Sequence, residues 1–294
     1  MSQRQIAKST LWQLGSQVIM AALAIVTVKI VATGLSKELA GLYNTAYGYL
    51  QLFGILADFG LYAVAIREIS KADGKKERET ILGNLIVVRC GILLLSIGSA
   101  LAIAWLTPAW QGTPLPLGIT IASLVPSFTL LAGILRTVFQ VQHKMQFVFV
   151  AEVLQRVLIA GAMLVVLLLG VRGSEDPAML YLFLGLGSLG ALLLYILSLV
   201  FGWRLMAIRP RFDADVLKNL LAQAAPYGVA YLFTALYRQF DVTLIAMLRP
   251  DDFQLQNASY GFVQRMMDMA YLLPTILLNS TLPSLTDRVK KNED

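Results

Sequence analysis

The chain alternates between long apolar segments and short polar connections, and this alternation constrains its fold more than any other feature. Eight segments reach the length of about 20 residues that a membrane-spanning helix needs. They cover roughly 10–33, 42–66, 81–106, 116–140, 147–171, 178–203, 220–248 and 255–281. Because 57% of the residues are hydrophobic and only 14% are charged, the chain must be solvated by lipid. The sequence predicts an all-α polytopic membrane protein of about eight transmembrane helices.

Basic residues cluster in every second connection and predict the orientation of the chain. The clusters are Arg4 and Lys8; Arg67, Lys71, Lys75, Lys76 and Arg78; Lys144; Arg204, Arg209, Arg211 and Lys218; and Arg288, Lys290 and Lys291. Cytoplasmic connections carry the excess of lysine and arginine. We therefore expect both termini to be cytoplasmic, in the cell (inner) membrane of a bacterium or archaeon. The clusters do not form one face, so the net charge of +6 does not indicate nucleic-acid binding.

Residues of chemical interest outside these clusters give weak signals. Cys90 is the only cysteine and His143 the only histidine, so neither a disulfide within the chain nor a cysteine- and histidine-rich metal site is expected. Gly185, Gly187 and Gly190 match G-x-G-x-x-G, but no strand precedes them and close helix packing explains them. No nucleophile is paired with a base. The sequence predicts no enzyme, no metal and no cofactor.

An internal repeat appears when the chain is shifted by 213 positions against itself. Leu35, Leu42, Asn44, Tyr47, Gly48 and Gln51 then fall on Leu248, Leu255, Asn257, Tyr260, Gly261 and Gln264. The seventh and eighth predicted helices thus repeat the first and second. Because both copies start on the same side, this is a parallel repeat, as in two-lobed transporters. We expect a first lobe of six helices (1–203), a basic cytoplasmic linker (204–219) and the start of a second lobe (220–294), which a partner chain would complete.

Polar residues share one face of each repeated helix. On the second helix these are Asn44, Tyr47, Gln51, Gly54 and Asp58; on the seventh, Tyr227, Tyr231, Thr234, Arg238 and Asp241; on the eighth, Asn257, Gly261, Gln264, Arg265, Asp268 and Tyr271. Spacings of three and four residues place such residues on one side of a helix. A salt bridge alone needs no such uncharged stripe, so the pattern indicates a water-filled cavity.

The ionisable residues inside the spans admit two interpretations, since each costs about 3 kcal/mol near the bilayer centre. Three pairs of opposite charges lie three or four residues apart, namely Arg238 with Asp241, Arg265 with Asp268, and Glu152 with Arg156. Mutual neutralisation alone would make them tolerable. It explains Glu152 and Arg156 best, which we expect near the cytoplasmic end. Lys29 and Arg89 have no local partner, and each can extend towards an interface, Lys29 outwards and Arg89 inwards.

The sequence also resembles a known family. The residues that carry the resemblance are Leu56–Leu61 and Arg67–Lys71 at the second helix, the N-terminal Ile6–Trp12, and Gly41–Tyr43. They resemble the polysaccharide transporter and O-antigen flippase branch of the multidrug/oligosaccharidyl-lipid/polysaccharide (MOP) exporter superfamily. The resemblance implies two lobes around a central cavity, lined largely by the first, second, seventh and eighth helices. Those are the helices with polar faces.

The resemblance further implies a substrate, an oligosaccharide on a polyprenyl diphosphate that is turned from the cytoplasmic to the outer leaflet. Cationic side chains in the cavity would hold the diphosphate, first Arg238 and Arg265, then Lys29 and Arg89. Carboxylates would pair with those cations or take up a coupling proton or sodium ion, and uncharged residues would complete the cavity. The carboxylates are Asp58, Asp241 and Asp268, and the uncharged residues are Tyr47, Gln51, Tyr231 and Gln264. The remaining partner is membrane lipid.

Three alternatives stay open at this point. The first is a multidrug/cation antiporter of the same superfamily, which would need a cavity with an excess of acidic residues to bind cations. The predicted cations Lys29, Arg89, Arg238 and Arg265 slightly outnumber the three carboxylates, which favours an anionic substrate. The others are a truncated lobe without transport of its own and a membrane glycosyltransferase or polymerase. The last would usually need charged residues on a sizeable outer loop, which the connections lack.

Overall fold

A computed structural model describes residues 3–72, 74–142, 144–203, 205 and 209–270. Within these ranges the chain forms ten α-helices. They are α1 (Gln3–Gly34), α2 (Lys37–Asp58), α3 (Leu61–Lys71), α4 (Lys75–Leu106), α5 (Leu115–Ala122), α6 (Leu124–Val141), α7 (Met145–Leu168), α8 (Pro177–Trp203), α9 (Ala214–Leu248) and α10 (Phe253–Ala270). The predicted all-α architecture is confirmed.

Long apolar helices identify a multi-pass membrane protein. In the described part of the chain, four helical segments are long and apolar enough to cross a bilayer: Lys75–Leu106, Leu115–Val141, Met145–Leu168 and Pro177–Trp203. Ile19–Gly34 is a shorter apolar helix. The predicted total of eight spans stays a prediction, because the other helices carry polar faces and the last predicted span, 255–281, continues beyond Ala270, outside the described residues.

The predicted span 42–66 is wrong as a single helix, because the chain breaks after Asp58. Phe59 (φ 44°) and Gly60 (φ 70°) both adopt the left-handed conformation, which ends α2 and starts α3. At Gly60 a Cβ atom would lie 2.4 Å from Cβ of Tyr227. Glycine is therefore required there both for its backbone conformation and for the close approach of α9.

The helices alternate between two ends of the bundle. At the hairpin end, which we define by the Leu35–Ser36 turn between α1 and α2, the Ser36 side chain caps α2 by accepting from the Leu39 N–H. The Ser36 N–H donates to the Ser174 carbonyl at 2.9 Å, which ties the α7–α8 connection to the same end. The opposite end, which we call the basic end, contains the α2–α3 break and residues 209–213.

The segment before α9 is fixed to α4 at the basic end. Asn84 is fully buried, and its Oδ1 accepts from the Asp213 N–H at 2.7 Å. A Cβ atom on Gly83 would lie 2.6 Å from the Arg209 carbonyl oxygen, so the backbones are in close contact. The Asp213 side chain then caps α9 by accepting from the N–H groups of Asp215 and Val216. The predicted linker 204–219 thus includes the first turn of α9.

α2 packs directly against α10, its partner in the repeat. Asn44 Nδ2 donates to the Asn257 carbonyl at 3.3 Å, and these two residues are equivalent positions 213 apart. Asn257 Nδ2 in turn donates to Thr45 Oγ1 at 2.8 Å and to the Val242 carbonyl of α9 at 2.9 Å. A Cβ atom on Gly41 would lie 1.8 Å from the Gln254 carbonyl oxygen, so only glycine permits this approach. The repeated helices therefore meet at their equivalent residues.

Replacing Gly41 with alanine should separate α2 from α10, because the added methyl group meets backbone that cannot move without the helix. We expect a loss of about 1–3 kcal/mol, typical of overpacking, seen as a lower temperature of denaturation in detergent. Gly185→Ala on α8 is the matched control, since its Cβ meets nothing within 4 Å. Equal stability of the two variants would contradict the close contact.

Candidate functional site

A cavity of about 820 Å³ lies among α1, α2, α6, α7 and α8, and we call it the bundle cavity. It exists because α1 and α2 diverge from the hairpin end: α1 packs mainly on α7, whereas α2 packs on α4, α9 and α10. Met20, Ala24 and Val28 of α1 face it from one side. Ile159 and Met163 of α7 add to this apolar wall. The cavity therefore lies at the depth of the membrane-spanning helices.

The polar face of α2 lines the bundle cavity. Tyr47, Gln51, Gly54 and Asp58, which lie three or four residues apart, all border it. Asn44, on the same predicted stripe, instead faces α10. Tyr47 also reaches across to α8, where a Cβ on Gly187 would lie 2.2 Å from its hydroxyl. The helical spacing thus places four of the five stripe residues on the cavity.

A second polar face comes from α7, where sequence reasoning expected little. Glu152, Gln155 and Arg156 border the cavity, and Gln155 is 7% exposed. Thr129 of α6 adds a hydroxyl. Arg156 is the twelfth of the 24 residues of α7, so it lies halfway along that span rather than near its end. The cavity thus brings uncharged donors from α2, α6 and α7 together with ionisable groups.

Arg89 is buried beside the cavity and holds the carboxyl end of α2. Its side chain is 3% exposed, and Nη1 lies 2.6 Å from Asp58 Oδ1. The same nitrogen donates to the carbonyls of Asp58 at 3.1 Å and Ala57 at 3.3 Å. A cation at the carboxyl end of a helix compensates its partial negative charge. Arg89 therefore has a distant partner where the sequence shows no local one, and it does not extend to the inner interface.

Glu152 forms an ion pair across helices. Its Oε1 accepts from Arg136 Nη1 of α6 at 3.0 Å. The expectation that Glu152 and Arg156 neutralise each other stays a prediction. Arg136 is a functional candidate that the spacing argument missed, whereas Arg156 was named there only as a partner of Glu152. The available signal was an arginine inside an apolar span.

The other predicted site residues lie outside the bundle cavity. Lys29 is on an exposed part of α1, and Tyr231 and Asp241 are exposed on α9. Asp241 accepts a hydrogen bond from the Tyr260 hydroxyl of α10, and Gln264 of α10 is half-buried. The predicted side chains of Arg238, Arg265 and Asp268 lie outside the described residues. The predicted cavity between the repeated helices therefore differs from the bundle cavity, which α6, α7 and α8 complete.

Comparison with known proteins identifies the family of the chain. A family model described as polysaccharide biosynthesis protein matches residues 6–283. No curated protein and no solved structure matches. Since the family match covers nearly the whole chain, the protein belongs to this family of polysaccharide transporters and flippases in the MOP superfamily. The resemblance carried by the α2 motif and the N-terminal residues is confirmed, and so is a transport role connected with polysaccharides.

Replacing Arg89 with methionine should destabilise the protein by about 3–5 kcal/mol, because it leaves a partly buried carboxylate unpaired. Asp58→Asn should cost less, since its Oδ1 remains an acceptor and Arg89 still caps Ala57 and Asp58. Denaturation temperatures in detergent, read by size-exclusion chromatography, compare the two. A larger loss for Asp58→Asn would contradict the capping role of Arg89.

Proposed function

We propose that the protein is a flippase that moves a polyprenyl-diphosphate-linked oligosaccharide from the inner to the outer leaflet of the cell membrane by alternating access. The oligosaccharide would be a repeat unit of O-antigen, capsule or exopolysaccharide. The observation that carries this proposal is the bundle cavity, with the polar face of α2 at membrane depth. Membership of the polysaccharide biosynthesis protein family supports it.

The lining of the bundle cavity suits such an amphipathic substrate. Moving a hydroxyl or phosphate group through hydrocarbon without partners costs several kcal/mol per group. Tyr47, Gln51, Thr129 and Gln155 offer hydrogen bonds along the cavity wall. The separation of α1 from α2 gives the cavity an apolar side towards the bilayer, where a polyprenyl tail would remain in lipid.

Charge around the cavity favours an anionic substrate over the cationic substrate of an antiporter. In the described part of the chain, three arginines (Arg89, Arg136 and Arg156) stand at or beside the cavity with two carboxylates (Asp58 and Glu152). Both carboxylates are already paired with an arginine. An excess of one positive charge attracts a diphosphate and repels an organic cation.

The proposal also includes residues in the second half of the chain, which the sequence predicts to contact the substrate. Arg238 and Arg265 would contact the diphosphate when the substrate lies between the repeated helices. Asp241 and Asp268 would replace the diphosphate as ion-pair partners of these arginines when the substrate leaves, or would take up a coupling proton or sodium ion. The division into a six-helix lobe and the start of a second, with both termini cytoplasmic, belongs to the same proposal.

Gln51→Leu should slow flipping, because it removes a hydrogen-bonding side chain from the cavity without changing charge. A lost hydrogen bond of about 1 kcal/mol corresponds to a reduction of about fivefold. The rate is measured in proteoliposomes loaded with a lipid-linked oligosaccharide whose exposure is followed by lectin binding. The matched control is Gln146→Leu, an exposed residue of the first turn of α7 that does not border the cavity. Wild-type rates in both variants would argue against a path along α2.

Arg238→Ala and Arg265→Ala should each abolish complementation of a bacterium whose own flippase gene is deleted, because each removes a predicted diphosphate contact. Surface polysaccharide is the measurement, at matched expression in the membrane. Arg172→Ala, an exposed residue between α7 and α8, should complement as the wild type does. Full complementation by both of the first two variants would remove these arginines from the substrate path.

A further inference from the structure

Trp110 joins the hairpin end of the α1–α8 bundle to α9. It lies in the connection between α4 and α5, at the end of a short 3-10 helix (Pro108–Trp110), and it is fully buried. Its indole N–H donates to the Ala246 carbonyl in the last turn of α9 at 3.2 Å. Its ring meets Tyr49 of α2 edge to face, with 5.2 Å between the ring centroids. A single side chain from this connection therefore contacts both α2 and α9.

The α1–α8 bundle holds the indole in place without help from α9. The main-chain N–H of Trp110 donates to the Thr107 carbonyl at 3.1 Å. The Trp110 carbonyl accepts from the N–H and the hydroxyl of Thr113, at 3.1 and 2.7 Å. Tyr49, which packs on the indole, is itself fixed, because its hydroxyl donates to the Ala100 carbonyl of α4 at 2.6 Å. Of the Trp110 contacts named here, only the one to Ala246 depends on the position of α9.

Trp110 lies at the contact between α2 and the helices α9 and α10. On this side of α2, Gly41 approaches Gln254 of α10, and Gly48 approaches Val242 of α9. A Cβ atom added to Gly48 would lie 3.2 Å from Cβ of Val242. The hairpin end is therefore closed between α2 and α9–α10.

The helices of this contact carry two polar atoms that the closed arrangement does not satisfy. Asn257 Oδ1 of α10 and Thr243 Oγ1 of α9 are buried and have no hydrogen-bond partner in the part of the chain that the structure describes. A buried polar atom without a partner destabilises the arrangement that contains it. Because Thr45 of α2 covers Asn257, water would reach that amide if α10 moved away from α2. Other contacts must therefore hold the end closed.

We infer that Trp110 is a latch for the hairpin end. The connection between α4 and α5 keeps the indole on the α1–α8 bundle, and the bond from the indole to Ala246 holds α9 against α2. The end opens when the indole releases Ala246 and α9 moves off α2 together with α10. That this opening passes a substrate to the outer leaflet rests on the proposed function, whereas the latch rests on the contacts of Trp110. Trp110 is thus a positioning residue that acts through α9.

The test measures how often the hairpin end opens, through the labelling of a cysteine that the closed end covers. The reporter is Thr243→Cys in a Cys90→Ser background, which has no other cysteine. Thr243 lies three residues before Ala246 on the same face of α9, is 3% exposed, and loses no hydrogen bond in this change. The purified protein in nanodiscs is treated with a water-soluble maleimide, whose reaction follows the population of the open form. We expect Trp110→Phe to raise the labelling rate about fivefold, because it keeps a ring but loses a neutral hydrogen bond.

Two controls separate opening of the latch from other effects. Trp105→Phe removes another indole N–H bond at the same end, to the Thr120 hydroxyl at 3.1 Å on the exposed side of α4. It should leave the labelling rate unchanged. Val64→Cys reports on α3 at the basic end, where this residue is 1% exposed, and its labelling should not respond to Trp110→Phe. Equal acceleration at both reporters would indicate general unfolding and overturn the latch.

A cysteine pair tests the closed end with Trp110 intact. Gly48→Cys and Val242→Cys, in the Cys90→Ser background, place two Cβ atoms 3.2 Å apart, close to their separation in a disulfide. Oxidation should therefore cross-link α2 to α9. If the hairpin end faces outwards, as the charge pattern predicts, the cross-link should stop flipping in proteoliposomes until it is reduced.

The outcomes distinguish the latch from the proposed function. Unchanged labelling of Thr243→Cys in the Trp110→Phe variant overturns the latch, and so does a cysteine pair that fails to cross-link. Faster labelling in Trp110→Phe, with flipping that continues in the cross-linked protein, supports the latch and counts against export through the hairpin end. Faster labelling, with flipping that stops on oxidation and returns on reduction, supports both.

Discussion

The contact between Arg89 and the carboxyl end of α2 fixes the point from which the rest of the bundle is arranged. Because Arg89 compensates both the Asp58 carboxylate and the last carbonyls of α2, the helix can end inside the protein. The chain then turns at Phe59 and Gly60. The Phe59 ring packs against Gly228 of α9, where an added Cβ atom would lie 2.6 Å from the ring. The same break therefore also positions α9.

α2 therefore acts as the central helix of the described structure, with different chemistry on its two sides. One side carries Tyr47, Gln51 and Asp58 towards the bundle cavity. The other side carries Gly41 and Asn44 towards α10, where small residues and amides allow the backbones to approach closely. Small residues and interhelical hydrogen bonds are the usual means of helix association in lipid, where no hydrophobic effect drives the contact. A movement of α10 relative to α2 would therefore act directly on the helix that lines the cavity.

The sequence was sufficient for those features that depend on local pattern. Apolar length predicted the helices, and spacings of three and four predicted the face of α2 that borders the cavity. It did not predict the break at Phe59 and Gly60, because the apolar run continues through it. It also could not find the ion pairs: Arg89 lies 31 residues from Asp58, and Arg136 lies 16 residues from Glu152. In both cases the ion-pair partner is on another helix, and spacing along one helix says nothing about it.

The Arg136–Glu152 pair shows how such a distant contact changes the chemistry of a local one. On an isolated α7, Glu152 and Arg156 would stand four residues apart and attract each other. In the folded protein Glu152 is also bound by Arg136 of α6, at 3.0 Å. The two paired arginines thus keep the carboxylates of the cavity neutralised, and Arg156 supplies the one positive charge that they leave over in the described part of the chain.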